Sequence, residues 1–448
     1  MRALCFVLMP FGQKADEAGR MVDFDKVFTG VIAPAVEAAG LDVIRADQEI
    51  VGGSIHKPMF ERLMLCEYAV ADLTATNPNV YYELGVRHAL RPHTTVLTFS
   101  DRTQLPFDLA SMRGVRYGLD DKGAVKDPPG AVERLAKQLR DAGEASCDSP
   151  LYQLITELEP PIIDHQRTDV FRDRVEYSRR HKQRLQEGRA VGLQALVDIE
   201  HELGDLGRIE AGVLVDLFLS YRAVKGFEQM VALFDHLPTP LRRTRLIQEQ
   251  YAFALNRLGR GDRAEAVLKQ VLEEHGPSSE TCGLLGRVYK DRWDAARKGG
   301  RSALGTAALL KRATEVYLQG FEADWRDAYP GINAVTLMEL AEPPDKRRLE
   351  ILPVVRYAVK RKIATGAPDY WDHATELELA VLADDQEAAT DALTSAVGAV
   401  REHWEPETTA RNLALIREAR ERRGRPTPWI TDIEAELDAA VQAHKPRG

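Results

Sequence analysis

Asp72 and Glu83 bracket the segment Leu73-Thr74-Ala75-Thr76-Asn77-Pro78-Asn79-Val80-Tyr81-Tyr82. The apolar run Tyr68-Ala69-Val70-Ala71 predicts a buried strand that ends on Asp72. A polar loop follows, and Glu83 falls in the first turn of the helix predicted next. One carboxylate then sits at the carboxyl end of a strand and the other at the amino end of a helix. Open α/β sheets bind ligands at that place, and a helix amino terminus favours negative charge. Two acids held close can divide the breaking of a glycosidic bond, one as nucleophile or base and the other as binder or acid. The competing reading gives Glu83 only a stabilising role at the helix terminus, worth about 0.3–1 kcal/mol. Asp72 in that case caps a turn.

Other residues could join the two acids. Asp47 ends a second predicted strand, with Glu49 as its alternative. Asn77 and Asn79 can cradle a ligand, although Asn79 also fits as a helix cap. Tyr81 and Tyr82 can stack on a ring or pack in a core. Gly53, within Gly52-Gly53-Ser54, precedes a helix whose free amides can receive a phosphate. Neither a GxxxxGK[ST] nor a GxGxxG pattern supports it. Arg87 lies one turn beyond Glu83 and can pair with it. His88 and His93 lack partners at metal-ligand spacing and read as structural.

The elements that must hold these groups alternate over residues 1–145. Strands are predicted at Leu4–Leu8, Leu41–Arg45, Tyr68–Asp72, Thr94–Phe99 and Val115–Tyr117. Helices are predicted from an Asp23 cap to Ala39, from Ser54 to Cys66, from Val80 to Leu90 and from Ala131 to Leu139. Such alternation predicts a doubly wound parallel sheet. A linker with Pro160-Pro161 spans 146–165, and 166–448 reads as helices with short breaks. Glu249–Gly259 lines up with Glu280–Tyr289, and Ala264, Ala266 and Val267 lie between them at packing positions. Small residues at helix crossings and a period of about thirty residues predict tetratricopeptide-like hairpins. Hairpins of that kind stack into a solenoid with a concave binding face. The fold class is therefore α/β plus all-α.

Composition sets the outer bounds. The chain has 448 residues, too many for one ordinary core. A net charge of −9 argues against non-specific nucleic-acid binding. The basic runs Arg172–Arg184, Lys346-Arg347-Arg348 and Arg420–Arg425 are read as solvated helix faces. Cys5, Cys66, Cys147 and Cys282 show no CxxC or Cys/His ligand spacing, so no metal or other cofactor is expected. The apolar run Ala3–Phe11 is too short to cross a bilayer and lacks a signal-peptide pattern. No membrane association and a cytoplasmic location are expected.

Several segments together carry a resemblance: Phe6–Gly12, Arg45-Ala46-Asp47, Glu61–Met64, Ala71–Thr74, Asn77–Gly85 and Pro106–Leu109. They resemble the nucleoside 2-deoxyribosyltransferase-like (deoxyribohydrolase, TIR-related) domains of prokaryotic conflict and signalling systems. The helical part, on Tyr329–Leu337 and Tyr370–Thr375, is similar to the TRAFs-binding region of the apoptosis signal-regulating kinases. No Gly-rich loop with a following lysine and no HRD or DFG element is present. The resemblance implies a flavodoxin/TIR-like sheet. It also implies that Glu83 attacks an anomeric carbon, that Asp72 and Asp47 hold base or sugar, and that Pro10, Phe11 and Gly12 lie beside the ligand. A nucleoside, nucleotide or NAD would be that ligand. A protein partner would use the helical repeats, and a homo-oligomer is a further expectation. The alternative is a non-catalytic nucleotide-sensing or interaction scaffold.

Overall fold

The computed structural model describes residues 2–16, 20–45, 56–109, 112, 114–120, 123–143, 147–155, 157–161, 165–300, 302–365 and 368–445. The chain divides into two compact units. One comprises Met1–Lys225 with His236–Thr244, and the other Gly226–Asp235 with Arg245–Gly448.

The first unit opens with strand β1 (Leu4–Leu8) and a short antiparallel hairpin, β2 (Gln13–Ala15) and β3 (Met21–Asp23). Helix α1 (Phe24–Val27) runs through a π turn, Phe28–Ile32, into α2 (Ala33–Ala38). Then follow β4 (Asp42–Arg45), α3 (His56–Leu65), β5 (Tyr68–Asp72), α4 (Pro78–Leu90), β6 (Thr95–Ser100), β7 (Gly114–Tyr117) and α5 (Pro128–Ala142). Four more helices complete the run: α6 (Pro150–Leu154), α7 (His165–Val191), α8 (Leu193–Leu203) and α9 (Ala211–Ala223). The sheet is parallel throughout, in the order β4-β1-β5-β6-β7.

Both faces of the sheet are covered, so its central strands are apolar along their whole length. On one face Cys5 and Val7 pack with Val31 and Val36 of the first helical stretch and with Leu135 and Leu139 of α5. On the other, Leu4, Phe6 and Leu8 meet Leu63 of α3, Val80 and Leu84 of α4, and Phe171 of α7. Phe171 is what moves the expected boundary. The sequence put the division at 146–165, but α7 buries Phe171 in the sheet's core, and Val175 packs beside it. Helices α8 and α9 pack against α7, so all three stay with the α/β unit. The hairpin β2–β3 went unpredicted because it is short, and β2 is wholly exposed, leaving no apolar alternation to read.

The second unit holds α10 (Phe227–His236), which α11 (Thr239–Arg242) of the first unit follows in sequence. It continues with α12 (Arg245–Arg257), α13 (Gly261–His275), α14 (Ser279–Lys298), α15 (Ala303–Ala323) and α16 (Ala328–Leu340). The last members are α17 (Arg348–Thr365), α18 (Tyr370–Leu382), α19 (Gln386–Gly398), α20 (Trp404–Arg422) and α21 (Trp429–Ala443). From α12 onward, successive helices pack as neighbours in most steps, and α12, α14, α16, α18 and α20 also pack one on the next. That is the pattern of stacked helical hairpins. The two similar segments of sequence fall on α12 and α14. A Cβ at Gly286 would stand 2.7 Å from the Tyr317 ring, so glycine lets α14 and α15 close on each other. Glu339 joins three helices through Arg348 (2.7 Å), Arg420 (3.3 Å) and Arg423 (2.5 Å). Among the described residues no helix is long and apolar enough to cross a membrane.

Candidate functional site

The strand order reverses between β1 and β5, which pair in parallel with Leu8 opposite Ala71. In open parallel sheets the loops that leave the two strands of such a reversal are where ligands bind, so these two loops bound the candidate crevice. On the β1 side, Pro10 is buried, and Gly12 takes a positive φ of 61°. Its carbonyl accepts from Phe24 N at 3.0 Å. Arg45, at the end of β4, fixes this loop. It pairs with Asp25 at 2.6 Å, donates to the Pro10 carbonyl at 3.4 Å, and its guanidinium stands 5.1 Å from the Phe11 ring centre. Phe11 keeps 39% of its surface exposed and so remains available beside the crevice.

On the β5 side, Asp72 is fully buried and its carboxylate is enclosed. One oxygen accepts from Thr74 N at 2.9 Å and the other from the Tyr117 hydroxyl at 2.8 Å. Tyr117 has one hydroxyl hydrogen and gives it to Asp72. The 2.8 Å contact between Thr74 and Tyr117 must therefore run from Thr74 to Tyr117. Thr74 in turn accepts from Ser100 N at 2.9 Å. Burial pushes the Asp72 carboxyl above its ordinary range, and the bonds from Thr74 and Tyr117 oppose that. Ala75 and Thr76 next hold positive φ values of 64° and 43°, where residues other than glycine are strained.

Asn77, not Asn79, caps α4. Its side-chain oxygen accepts from Asn79 N (2.9 Å) and Val80 N (3.4 Å), and Pro78 takes the first helical position. The helix thus starts earlier than predicted, and Glu83 falls in its second turn rather than its first. Asn79 is exposed, and Tyr82 is 58% exposed on the outer side of the helix. Asp47 and Gly53, with Glu49 and Ser54, lie outside the described residues.

Glu83 is half-buried and has no hydrogen bond or ion pair among the described residues; burial alone lifts its carboxyl to about 7. Arg87 does not pair with it. Arg87 is fully buried and donates to the carbonyls of Leu63 (2.8 Å), Cys66 (2.8 Å) and Glu67 (3.0 Å). It lies on the inward stripe of α4 with Val80 and Leu84, and its charge serves those carbonyls. His88 is buried as well, and burial with the Arg87 charge lowers its imidazole to about 4. Of the residues singled out by sequence, Pro10, Phe11, Gly12 and Asp72 thus lie at or just beyond the ends of the two strands of the reversal, and Glu83 lies in the second turn of α4. Sequence missed Tyr117, Thr74, Arg45 and Asp25. Tyr117 and Arg45 both end predicted strands, the one signal that could have marked them.

The fold defines a class: a parallel α/β unit joined in one chain to an array of paired helices. The sequence model of the MAP3K TRAFs-binding domain matches residues 80–432, and the chain belongs to that family. The mitogen-activated protein kinase kinase kinase nsy-1 of Caenorhabditis elegans is 32% identical over 220 residues, 45% of this chain and 14% of that protein. Mitogen-activated protein kinase kinase kinase 6 of Homo sapiens is 25% identical over 339 residues, 69% of this chain and 25% of that one. The chain therefore spans a quarter or less of the length of these relatives. Among solved structures, a tetratricopeptide repeat protein from Thermus thermophilus overlaps with TM-score 0.36 at 13% identity, covering 46% of this chain and all of that one. A tetratricopeptide repeat protein from Parabacteroides merdae overlaps with TM-score 0.34 at 11% identity, covering 60% of this chain and 98% of that one.

Proposed function

We propose that this chain is a signalling protein whose α/β unit binds and cleaves an N-glycosidic bond of a nucleoside, nucleotide or NAD. Its helical hairpins, tetratricopeptide-like in this reading, receive a protein partner that regulates the first unit. Family membership supports the signalling part. The observation that carries the chemical part is Glu83: a half-buried carboxyl with no partner among the described residues, held near neutrality by burial, one turn into the helix that follows β5. A carboxyl in that state can attack an anomeric carbon when ionised and can carry a proton when neutral. Asp72 then shapes the crevice floor through Tyr117 rather than meeting the ligand. The doubly wound, TIR-like character of the sheet belongs to the same proposal.

The test is incubation of the whole chain with nucleosides, deoxynucleotides and NAD, followed by chromatography for released base or nicotinamide. Release that is lost in Glu83→Gln is the expected result. No release from any of them, with wild type and variant alike, overturns the cleavage reading. One observation favours a second reading, a non-catalytic sensor. Asp72 is closed by Thr74 and Tyr117, which leaves Glu83 as the one open acid of the pair. A sensor binds the same ligands and releases nothing.

A further inference from the structure

Part of the basic run on α7, Arg179 and Lys182, borders a cavity. Ser178, Arg179, Lys182 and Arg189 of α7, Arg45 of β4 and Asp216 of α9 line a volume of about 820 Å³ within the first unit. The α7 residues recur at helical spacing, so they share one side of the helix.

Three features of this cleft point to an anion. Its lining holds four cationic side chains against the two acids Glu187 and Asp216. Arg179 donates to the Val43 carbonyl at 2.9 Å, and neither Arg179 nor Arg189 has an ion pair among the described residues. Lys182 approaches Asp216 only to 3.8 Å. Second, Ser178 is 3% exposed, and its hydroxyl has no hydrogen-bond partner among the described residues. Buried hydroxyls are normally paired, so an unpaired one on a cavity wall marks the place of an absent acceptor. Third, the volume suits a small molecule, within the roughly 300–1,000 Å³ of ligand pockets.

We propose that this cleft binds a phosphate-bearing small molecule of nucleotide size. Arg179, Lys182 and Arg189 hold its phosphate oxygens, and Ser178 donates to one of them. Guanidinium groups suit this task because their fork of donors matches phosphate oxygens. The site is separate from the crevice between β1 and β5, since it lies against the edge strand β4. Arg45 connects the two: it lines the cleft and also stands over the Phe11 ring. An anion in the cleft would compete with Asp25 for Arg45 and so act on the Phe11 loop.

Calorimetric titration of the whole chain with pyrophosphate and ADP, and with adenosine as the phosphate-free control, tests the proposal. Pyrophosphate and ADP should bind, more weakly as salt rises, and adenosine should not compete for their site. Arg189→Glu, at an exposed position, should weaken both at least tenfold. Ser178→Ala should weaken both while leaving the melting temperature of the free protein equal or higher. Glu83→Gln should leave pyrophosphate binding unchanged, which separates this site from the crevice. Absence of pyrophosphate binding overturns the proposal. So does binding indifferent to both Arg189→Glu and Ser178→Ala, or lost in Glu83→Gln.

Discussion

Tyr117 donates its hydroxyl hydrogen to Asp72 across 2.8 Å, and the bond joins the ends of two strands that do not pair with each other. β6 lies between them, and Ser100 N on that strand completes the arrangement by donating to Thr74. Three strand ends are thus held by one line of hydrogen bonds.

Replacing Tyr117 by Phe tests this reading. The ring volume stays, but one oxygen of a fully buried carboxylate loses its donor, and Thr74 loses its acceptor. A buried polar group left unpaired costs about 1–3 kcal/mol. Guanidinium denaturation should show a loss near the upper end of that range, because the acceptor is ionisable. A loss below about 0.5 kcal/mol would mean that Asp72 finds another donor or is protonated in the wild type.

Glu83 gives a pH signature whether or not the chain is an enzyme. Its ordinary value is 4.5 and its folded value about 7, so the folded chain keeps a proton that the unfolded chain releases between them. Stability contributed by the neutral carboxyl is complete below about 4.5 and is lost as pH rises through 7. Glu83→Gln removes that dependence. The variant should melt with the wild type at pH 4 and above it at pH 8. If the enzyme reading holds, turnover should rise through pH 7 as the nucleophile ionises. Parallel melting curves for the two proteins across pH 4–8 would refute the raised value.

Arg87 is the residue for which local spacing is most misleading. Its place one turn after Glu83 suggests an exposed ion pair. Its side chain instead binds carbonyls at the end of α3 and just beyond, and Thr95 on β6 at 3.3 Å. Arg87→Met keeps the stem and strands those carbonyls. A loss of about 3 kcal/mol is expected, and Arg87→Lys should recover little, because a point charge cannot serve a fork of acceptors. Urea titration of the three proteins checks both statements. An effect under 1 kcal/mol for Arg87→Met would place the residue at the surface after all.

The strands were legible because runs such as Leu4–Leu8 and Tyr68–Asp72 are apolar without interruption, and the cap Asp23 stands in the sequence. What sequence could not show are pairings between distant residues. Asp72 meets Tyr117, Arg45 meets Asp25, and Phe171 reaches the sheet across the whole predicted linker. Each depends on strand order and helix docking, which local periodicity does not encode. The position of Glu83 slipped by a turn for a smaller reason: Asn77 and Asn79 both suit a cap, and Pro78 decides between them by favouring the first helical position.

Glu339 offers the sharpest test of the helical array. Its carboxylate is buried at the end of α16 and meets Arg348 of α17 with Arg420 and Arg423 at the end of α20. Arg420 also donates to the carbonyls of Val381 (3.0 Å) and Leu382 (3.2 Å) at the end of α18. Three helix ends therefore converge on one acid, and Arg420 ties a fourth to them. Glu339→Ala takes the shared anion from three guanidiniums, although Arg420 keeps Asp384 at 3.5 Å, and breaking a buried pair from one side costs about 3–5 kcal/mol. Glu339→Gln keeps the shape and an acceptor, so it should fall between alanine and wild type. Thermal melting of the full chain, with proteolysis to report which unit opens first, measures both. The alanine variant should expose cleavage sites within α16–α20 while the α/β unit stays resistant. Equal melting temperatures for the alanine variant and the wild type would show that the convergence contributes nothing to holding the array together.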